Sequence, residues 1–255
     1  MRFAILGSGS QGNALVVEVG ETRLLLDCGF GLTETVRRLA LLGLTPDQLT
    51  GILITHEHDD HIVGVARLAR KFGLPVWLTP GTIRGLEPLF AGVAGVHYLE
   101  GYAPLCVGDI EVCPFPVPHD AREPAQYRFS DGARSLAVLT DTGCATPLIR
   151  RMLDACSALV LECNHDPDLL AASDYPEPLK RRISSRHGHL DNAAAAGLLA
   201  SLDSRPLQHL VAAHLSQSNN RPDLARSALA GALGCSANWI GVADQMTGLG
   251  WREIA

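Results

Sequence analysis

Short apolar runs closed by polar or glycine-rich turns recur along the chain and alternate with segments of helical spacing. Residues 3–6, 14–19, 22–26, 52–54, 75–79, 158–162 and 207–213 read as strands. Two extended segments are expected within 105–118, turning at Gly108-Asp109. A hairpin is expected from 127–129 and 136–140 around Ser130-Asp131-Gly132, and residues 239–243 read as the last strand. Helical spacing predicts helices over 32–42 with Thr33 as cap, over 62–70 with Asp59 as cap, and briefly over 82–90. Further helices are expected over 147–155, 192–202 (capped by Asp191 or Asn192) and 222–233. The polar stretch 174–182 reads as a loop or partly helical arm. Strand–helix alternation of this kind is the pattern of an α/β protein, and no linker, repeat array or low-complexity tract divides residues 1–255, so one domain is expected.

Two details sharpen the picture. The strand ending Leu25-Leu26-Asp27-Cys28-Gly29 and the strand ending Leu139-Thr140-Asp141-Thr142-Gly143 share an Asp-x-Gly exit. This weak self-similarity predicts two related β/α halves facing each other. The turn Gly7-Ser8-Gly9-Ser10-Gln11-Gly12-Asn13 superficially suggests a phosphate loop. It lacks the Gly-Lys-Ser/Thr ending and runs into a strand where a nucleotide loop would open a helix, so a nucleotide site is rejected there.

Composition adds boundaries. At 255 residues, 47% apolar and 19% charged, the chain can bury a sizeable core and has no disorder signature. Its net charge of −6 gives no general attraction for nucleic acid, so a polyanion would need a local basic patch or bound metal. The apolar run at the N-terminus is short for a secretory signal, and no run approaches a membrane span. Seven cysteines, odd in number and without a C-x-x-C pair, fit small buried hydrophobes in a reducing compartment. A cytoplasmic protein is expected.

The chemistry concentrates in Thr55-His56-Glu57-His58-Asp59-Asp60-His61, directly after an apolar strand. A turn leaving a strand end can aim alternate side chains at one point, which a regular strand cannot. Imidazoles with carboxylate and no nearby thiolate pair suit Zn, Mn or Fe in a reactive site better than a structural zinc cage. Asp60 is either a ligand or a second cap. Strand-end acids and histidines recur at His119, Asp141 and His214, and His119 is kept extended by Pro116 and Pro118.

The H-x-H-x-D-H motif, followed in order by His119, Asp141 and His214, resembles the metallo-β-lactamase-fold hydrolase superfamily over essentially the whole chain. Within it, Gly7-Ser8-Gly9-Ser10, Glu162-Cys163-Asn164-His165-Asp166, Gly188-His189-Leu190-Asp191-Asn192 and His214-Leu215-Ser216-Gln217-Ser218-Asn219-Asn220 look like the bacterial YycJ/WalJ group. The resemblance implies a four-layer αβ/βα sandwich with two divalent metals (zinc or manganese, with iron also compatible) in a cleft between the sheets. It implies His56, His58 and His119 on one metal, Asp60, His61 and His214 on the other, and Asp141 bridging. Asp27 would act behind the ligands, and His165 is expected there as well. The diiron-oxygen branch has glutamate where this chain has His58, which favours hydrolysis.

The group implies a DNA phosphodiesterase, a 5′-to-3′ exonuclease acting on duplex. Asp60 is a candidate to orient or deprotonate the attacking water. His189, before a helix N-terminus, is a candidate to stabilise the phosphate or protonate the leaving oxygen. Lys180-Arg181-Arg182 and Arg186 form the conspicuous basic cluster, either tracking a nucleic-acid backbone or solvated; His187 and His97 read as surface or packing residues. Hydrolysis of a small cyclic phosphodiester or thioester is the rival enzyme reading, and a metal-stabilised binding protein the non-catalytic one.

Overall fold

The apolar runs form two seven-stranded sheets packed face to face in a computed structural model that describes residues 1–255. The strands are β1 (Arg2–Gly7), β2 (Ala14–Val19), β3 (Thr22–Leu26), β4 (Gly51–Leu53), β5 (Val76–Leu78), β6 (Val96–Tyr98), β7 (Leu105–Val107), β8 (Ile110–Pro116), β9 (Ala125–Ser130), β10 (Ser135–Leu139), β11 (Ala158–Glu162), β12 (His209–Ala213), β13 (Gly241–Val242) and β14 (Leu249–Glu253). The helices are α1 (Leu32–Leu41), α2 (Asp59–Ile62), α3 (Val65–Phe72), α4 (Pro80–Ile83), α5 (Pro147–Leu153), α6 (Pro167–Ala172), α7 (Glu177–Ile183), α8 (Asn192–Ala200) and α9 (Pro222–Leu233). One sheet runs β14-β1-β2-β3-β4-β5-β6 and the other β13-β12-β11-β10-β9-β8-β7.

Three apolar clusters explain the layering. One lies between the sheets and joins Leu24 and Leu53 of the first to Phe129 and Val211 of the second. Another covers the outer face of the first sheet with Leu39, Leu68 and neighbours from α1 and α3. The third covers the second sheet with side chains from α5, α8 and α9. The result is the four-layer αβ/βα sandwich. Strands buried on both faces need no polar alternation, which is why β4, β10 and β11 read as continuous apolar runs. Burying each such Leu, Ile or Val stabilises the fold by roughly 1.5–3 kcal/mol.

The two halves correspond in topology. β3 pairs antiparallel with β2 and parallel with β4; β10 pairs antiparallel with β9 and parallel with β11. Both Asp-x-Gly exits therefore leave a strand where its sheet changes from antiparallel to parallel. Ligand sites in open α/β sheets form at the carboxyl ends of strands where the order switches.

Several local expectations need correction. Asp59 does not cap a helix: the extended residue before α2 is His58, and Asp59 with Asp60 occupies the first turn. The expected 62–70 helix is broken at Gly64. Its N–H donates to the Cys28 carbonyl (2.8 Å), and a Cβ there would lie 2.0 Å from the Phe30 carbonyl oxygen. Gly31, not Thr33, precedes α1. The 82–90 segment divides into α4 and a 3₁₀ turn, Glu87–Phe90, around Gly85 at φ +83°. Strand β14 follows the strand expected to be last and pairs antiparallel with β1.

A buried side-chain hydrogen bond helps tie the sheets together beneath the histidine motif. The fully buried Tyr127 on β9 donates its hydroxyl to the Ile54 carbonyl at 2.6 Å. Tyr127→Phe is expected to destabilise the fold by about 1–3 kcal/mol, because a buried carbonyl loses its donor. Urea unfolding should show a lower midpoint at unchanged slope; an unchanged midpoint would reject the argument.

Candidate metal centre

The carboxyl-end loops of both sheets meet over one cleft. From the first sheet come Asp27 after β3 and the histidine motif after β4. From the second come His119 after β8, Asp141 after β10, Glu162 at the end of β11 and His214 after β12. All seven residues expected to hold metal converge there. His56, His58 and His119 form one cluster and Asp60, His61 and His214 another, with donor atoms within 4.8 Å of each other in each; Asp141 forms a further such group with His56 and His61. His58 Nδ1 is 3.0 Å from His56 Nε2 and 3.3 Å from His119 Nε2. Asp141 Oδ2 is 3.3 Å from His61 Nε2, and its Oδ1 is 3.5 Å from His214 Nε2. Asp141 thus stands between the groups.

Four of the five imidazoles, all but His58, are aimed by a partner on the far side. Asp27 lies 2.8 Å from His61 Nδ1 and is itself held by the Thr55 N–H and hydroxyl at 2.8 and 2.9 Å. Thr55 Oγ1 also reaches His56 Nδ1 at 2.9 Å. His119 Nδ1 donates to the Gly188 carbonyl, 3.2 Å away, and His214 Nδ1 lies 3.1 Å from Glu162 Oε1. A ring nitrogen fixed this way leaves the other with its lone pair toward the cleft, which is how proteins orient metal-binding histidines.

Backbone strain marks the same loops. Asp27, Asp141 and His214 adopt φ of +60°, +50° and +55° immediately after β3, β10 and β12. Left-handed backbone is costly for non-glycine residues and persists where the surroundings over-determine it, often at functional sites.

Charge makes the cluster demanding. Burial disfavours the His61 cation, yet Asp141, Asp27 and Asp60 together hold its pKa well above the usual imidazole value. His214 is likewise pushed up to about 10: burial opposes the charge, but Asp141, Asp60 and Glu162 outweigh it. His56 goes the other way, driven well down by burial and by the neighbouring imidazoles His61, His119 and His58. Burial raises Asp27, with His61 opposing. Asp60 and Asp141 both resist burial and stay below the ordinary carboxylate range because of His61 and His214. The acids and imidazoles thus share protons as counter-charge, and a divalent cation among them would take the place of those protons. Asp141 Oδ2 is fully buried without a hydrogen-bond partner. An orphaned carboxylate oxygen among imidazole nitrogens is the donor chemistry of divalent cations.

Two further members were missed by sequence reading. Glu162, completely buried, lies 2.8 Å from His189 Nδ1 and accepts the Thr142 and Leu190 N–H groups at 3.0 and 3.1 Å. Burial opposes its charge, but His189 and His214 hold its carboxyl below the ordinary range. Its signal was available: an acid closing a wholly apolar strand, as at Asp27 and Asp141. Asn13 donates to Asp60 Oδ2 at 3.2 Å, while Ser8 Oγ accepts the His214 N–H at 2.8 Å. The glycine-rich turn is thus a buttress for the cleft.

The remaining expectations divide. His189 lines the cleft with its Nδ1 3.6 Å from Asp141 Oδ1. His165 is buried but makes no side-chain hydrogen bond to any of the seven; its backbone carbonyl accepts the Asn192 N–H at 2.9 Å, at the start of α8. Asp191 caps α8 through the Ala194 N–H at 2.7 Å. His187 is exposed, and His97 stacks on Trp77. The basic cluster is not one face: Lys180 Nζ is tied back to the Ala171 carbonyl at 2.7 Å, whereas Arg182 lines the cleft; Arg181 and Arg186 are exposed. No helix is long and apolar enough to cross a membrane.

Comparison with known proteins follows the same lines. A family model described as the beta-lactamase superfamily domain matches residues 22–214. The exodeoxyribonuclease YycJ of Bacillus anthracis is 39% identical over 228 residues, 89% of this chain and 86% of the relative. The exodeoxyribonuclease WalJ of Streptococcus pneumoniae (serotype 2, strain D39) is 34% identical over 246 residues, covering 94% and 91%. Among solved structures, the metallo-beta-lactamase fold protein YhfI from Bacillus subtilis superposes with a TM-score of 0.76 at 17% identity, covering 99% of both chains. Zn(2+)-bound PqqB from Methylobacterium extorquens gives 0.73 at 17% identity, covering 99% and 100%. The last two speak to the fold alone.

Proposed function

We propose, from the premise that this chain belongs to the beta-lactamase superfamily, that it is a dinuclear metal-dependent phosphodiesterase that degrades DNA from an end, in the 5′-to-3′ direction. The observation that carries the reading is Asp141, whose buried, unpartnered oxygen lies among donor groups from both sheets. Similarity over most of the chain to two exodeoxyribonucleases supports the substrate class.

In this reading His56, His58 and His119 would hold one divalent ion, Asp60, His61 and His214 would hold the second, and Asp141 would serve both. Zinc and manganese are both compatible with this donor set, imidazole favouring the first and carboxylate accepting the second. When bound, such a pair supplies an acidified water and charge stabilisation for in-line displacement at phosphorus. Asp60, less buried than Asp141, orients the attacking water and accepts its proton. His189 faces the leaving oxygen. Glu162 fixes its Nδ1; burial opposes a charge on the ring, but Glu162 and Asp141 raise its pKa, and Nε2 is left free. Asp27 and Thr55 hold His61 and His56 in register without touching substrate.

Incubating the protein with Mn or Zn and three substrates (5′-labelled duplex, a cyclic nucleotide and a thioester) tests the reading. Mononucleotides released from duplex ends, abolished by a chelator and restored by metal, are expected. Turnover of the small molecules alone would remove the DNA assignment. His189→Ala is expected to lower kcat on duplex by about 10²–10⁴-fold with metal content unchanged. An unchanged kcat would take the proton-donor role from His189.

A further inference from the structure

One wall of the cleft is built unlike the rest. The cavity holds about 420 Å³ and is lined by fifteen residues, of which Arg182 is the one Lys or Arg. That volume is near the small end of the roughly 300–1,000 Å³ typical of ligand pockets. It has room for one nucleotide.

Arg182 is on α7, together with Leu179 and Ile183, and Tyr175 precedes the helix; all four line the cavity. Leu179 and Ile183 are one helical turn apart and so share a face. Neither they nor Tyr175 belong to any of the three apolar clusters, and all three are half-buried. Apolar side chains turned to a polar cleft, with no core behind them, suit the sugar and base of a bound nucleotide.

Arg182 is positioned as well as charged. Its Nε donates to Asp120 Oδ2, while Asp120 Oδ1 lies 3.5 Å from His119 Nε2. One carboxylate therefore spans from the histidine cluster to the guanidinium. With Nε engaged, the two terminal nitrogens make no hydrogen bond within the protein and remain as a fork for phosphate oxygens. A nucleic-acid strand carries one phosphate per nucleotide. When the reacting phosphate sits over the Asp141 cluster, the phosphate available to Arg182 is the one on the other side of the terminal sugar.

We propose that Arg182, held by Asp120, binds the 5′-terminal phosphate of the strand, while Tyr175, Leu179 and Ile183 pack against the nucleotide between the two phosphates. The inference rests on the phosphodiesterase reading above and adds a preference for 5′-phosphorylated ends.

Calorimetric binding to the manganese-loaded protein separates the two claims. Thymidine 3′-monophosphate places one phosphate at the metal cluster; thymidine 3′,5′-bisphosphate adds the second. The wild-type protein is expected to bind the bisphosphate about tenfold or more tightly than the monophosphate. Arg182→Ala should bring the two within about twofold at unchanged monophosphate affinity, and Arg182→Lys, which keeps charge but loses the fork, should retain part of the preference. Arg182 is exposed, so folding is not at stake. Equal affinities in the wild type, no binding of either, or a preference that survives Arg182→Ala would overturn the proposal. Absence of duplex hydrolysis would remove the exonuclease reading while leaving this binding result standing. Intact hydrolysis with no phosphate preference would remove only the end-reading role of Arg182.

Discussion

Asp141→Ala is expected to reduce duplex hydrolysis by about 10³-fold or more and to strip bound metal in the same step. The reason is its position. It approaches His61 at 3.3 Å and His214 at 3.5 Å, and one of its oxygens has no other partner in the protein. Removing it leaves two cation-binding groups without their shared anion, and buried charge without compensation is strongly unfavourable. His58→Ala should abolish turnover as well, because it takes away one of only three imidazoles in its cluster. Elemental analysis of the purified variants beside a rate on 5′-labelled duplex decides the matter. Full activity in either variant would refute the ligand assignment.

Gly29→Ala should unfold or severely loosen the site, at a cost of at least about 3 kcal/mol. A Cβ at this position would sit 1.8 Å from the Asp60 carbonyl oxygen and 2.7 Å from the Asn13 nitrogen. Those two atoms already bond each other at 2.8 Å, and the Gly29 N–H donates to the Asn13 carbonyl at 3.0 Å. Three loops meet with no space for a methyl group, and relieving the clash displaces the turn that bears Asp60 and His61. Gly197→Ala is the control. Nothing lies within 4 Å of a Cβ there, and the residue is inside α8, so the same change should stabilise by about 0.5–1 kcal/mol. Chemical denaturation of both variants reads the contrast; a Gly29→Ala protein as stable as the wild type would contradict the geometry.

Gly143 repeats the arrangement in the second half: a Cβ there would meet the Arg186 backbone at 2.3 Å. The paired Asp-x-Gly exits noticed in the sequence thus have one physical cause. At each, an aspartate leaves the strand left-handed, and the glycine two residues on admits the backbone of another loop.

Much of the site was legible because its densest part is local. The motif His56-x-His58-x-Asp60-His61 follows a strand by a short turn, and side-chain directions in such a turn depend on neighbours in sequence. His119, Asp141 and His214 were legible as polar residues closing apolar strands, and their order carried the family resemblance. Glu162 ends an equally apolar strand, yet nothing local says that it will reach His189 and His214 rather than cap a turn. Asn13 was set aside with its glycine-rich turn because the partners that define it, Asp60 and His61, lie nearly fifty residues away. Strand β14 escaped for a related reason. It is only half-buried and acquires its identity from β1, at the opposite end of the chain.

The sequence by itself determined most of the strands and helices and the residue types able to bind metal, because apolar periodicity and ligand chemistry are properties of short segments. Only the tertiary structure decided which acids meet which histidines, which loops are held left-handed, and that Arg182 alone of its basic cluster faces the cleft. Those outcomes depend on how two sheets distant in sequence pack against each other, and a segment carries no record of what will be packed beside it.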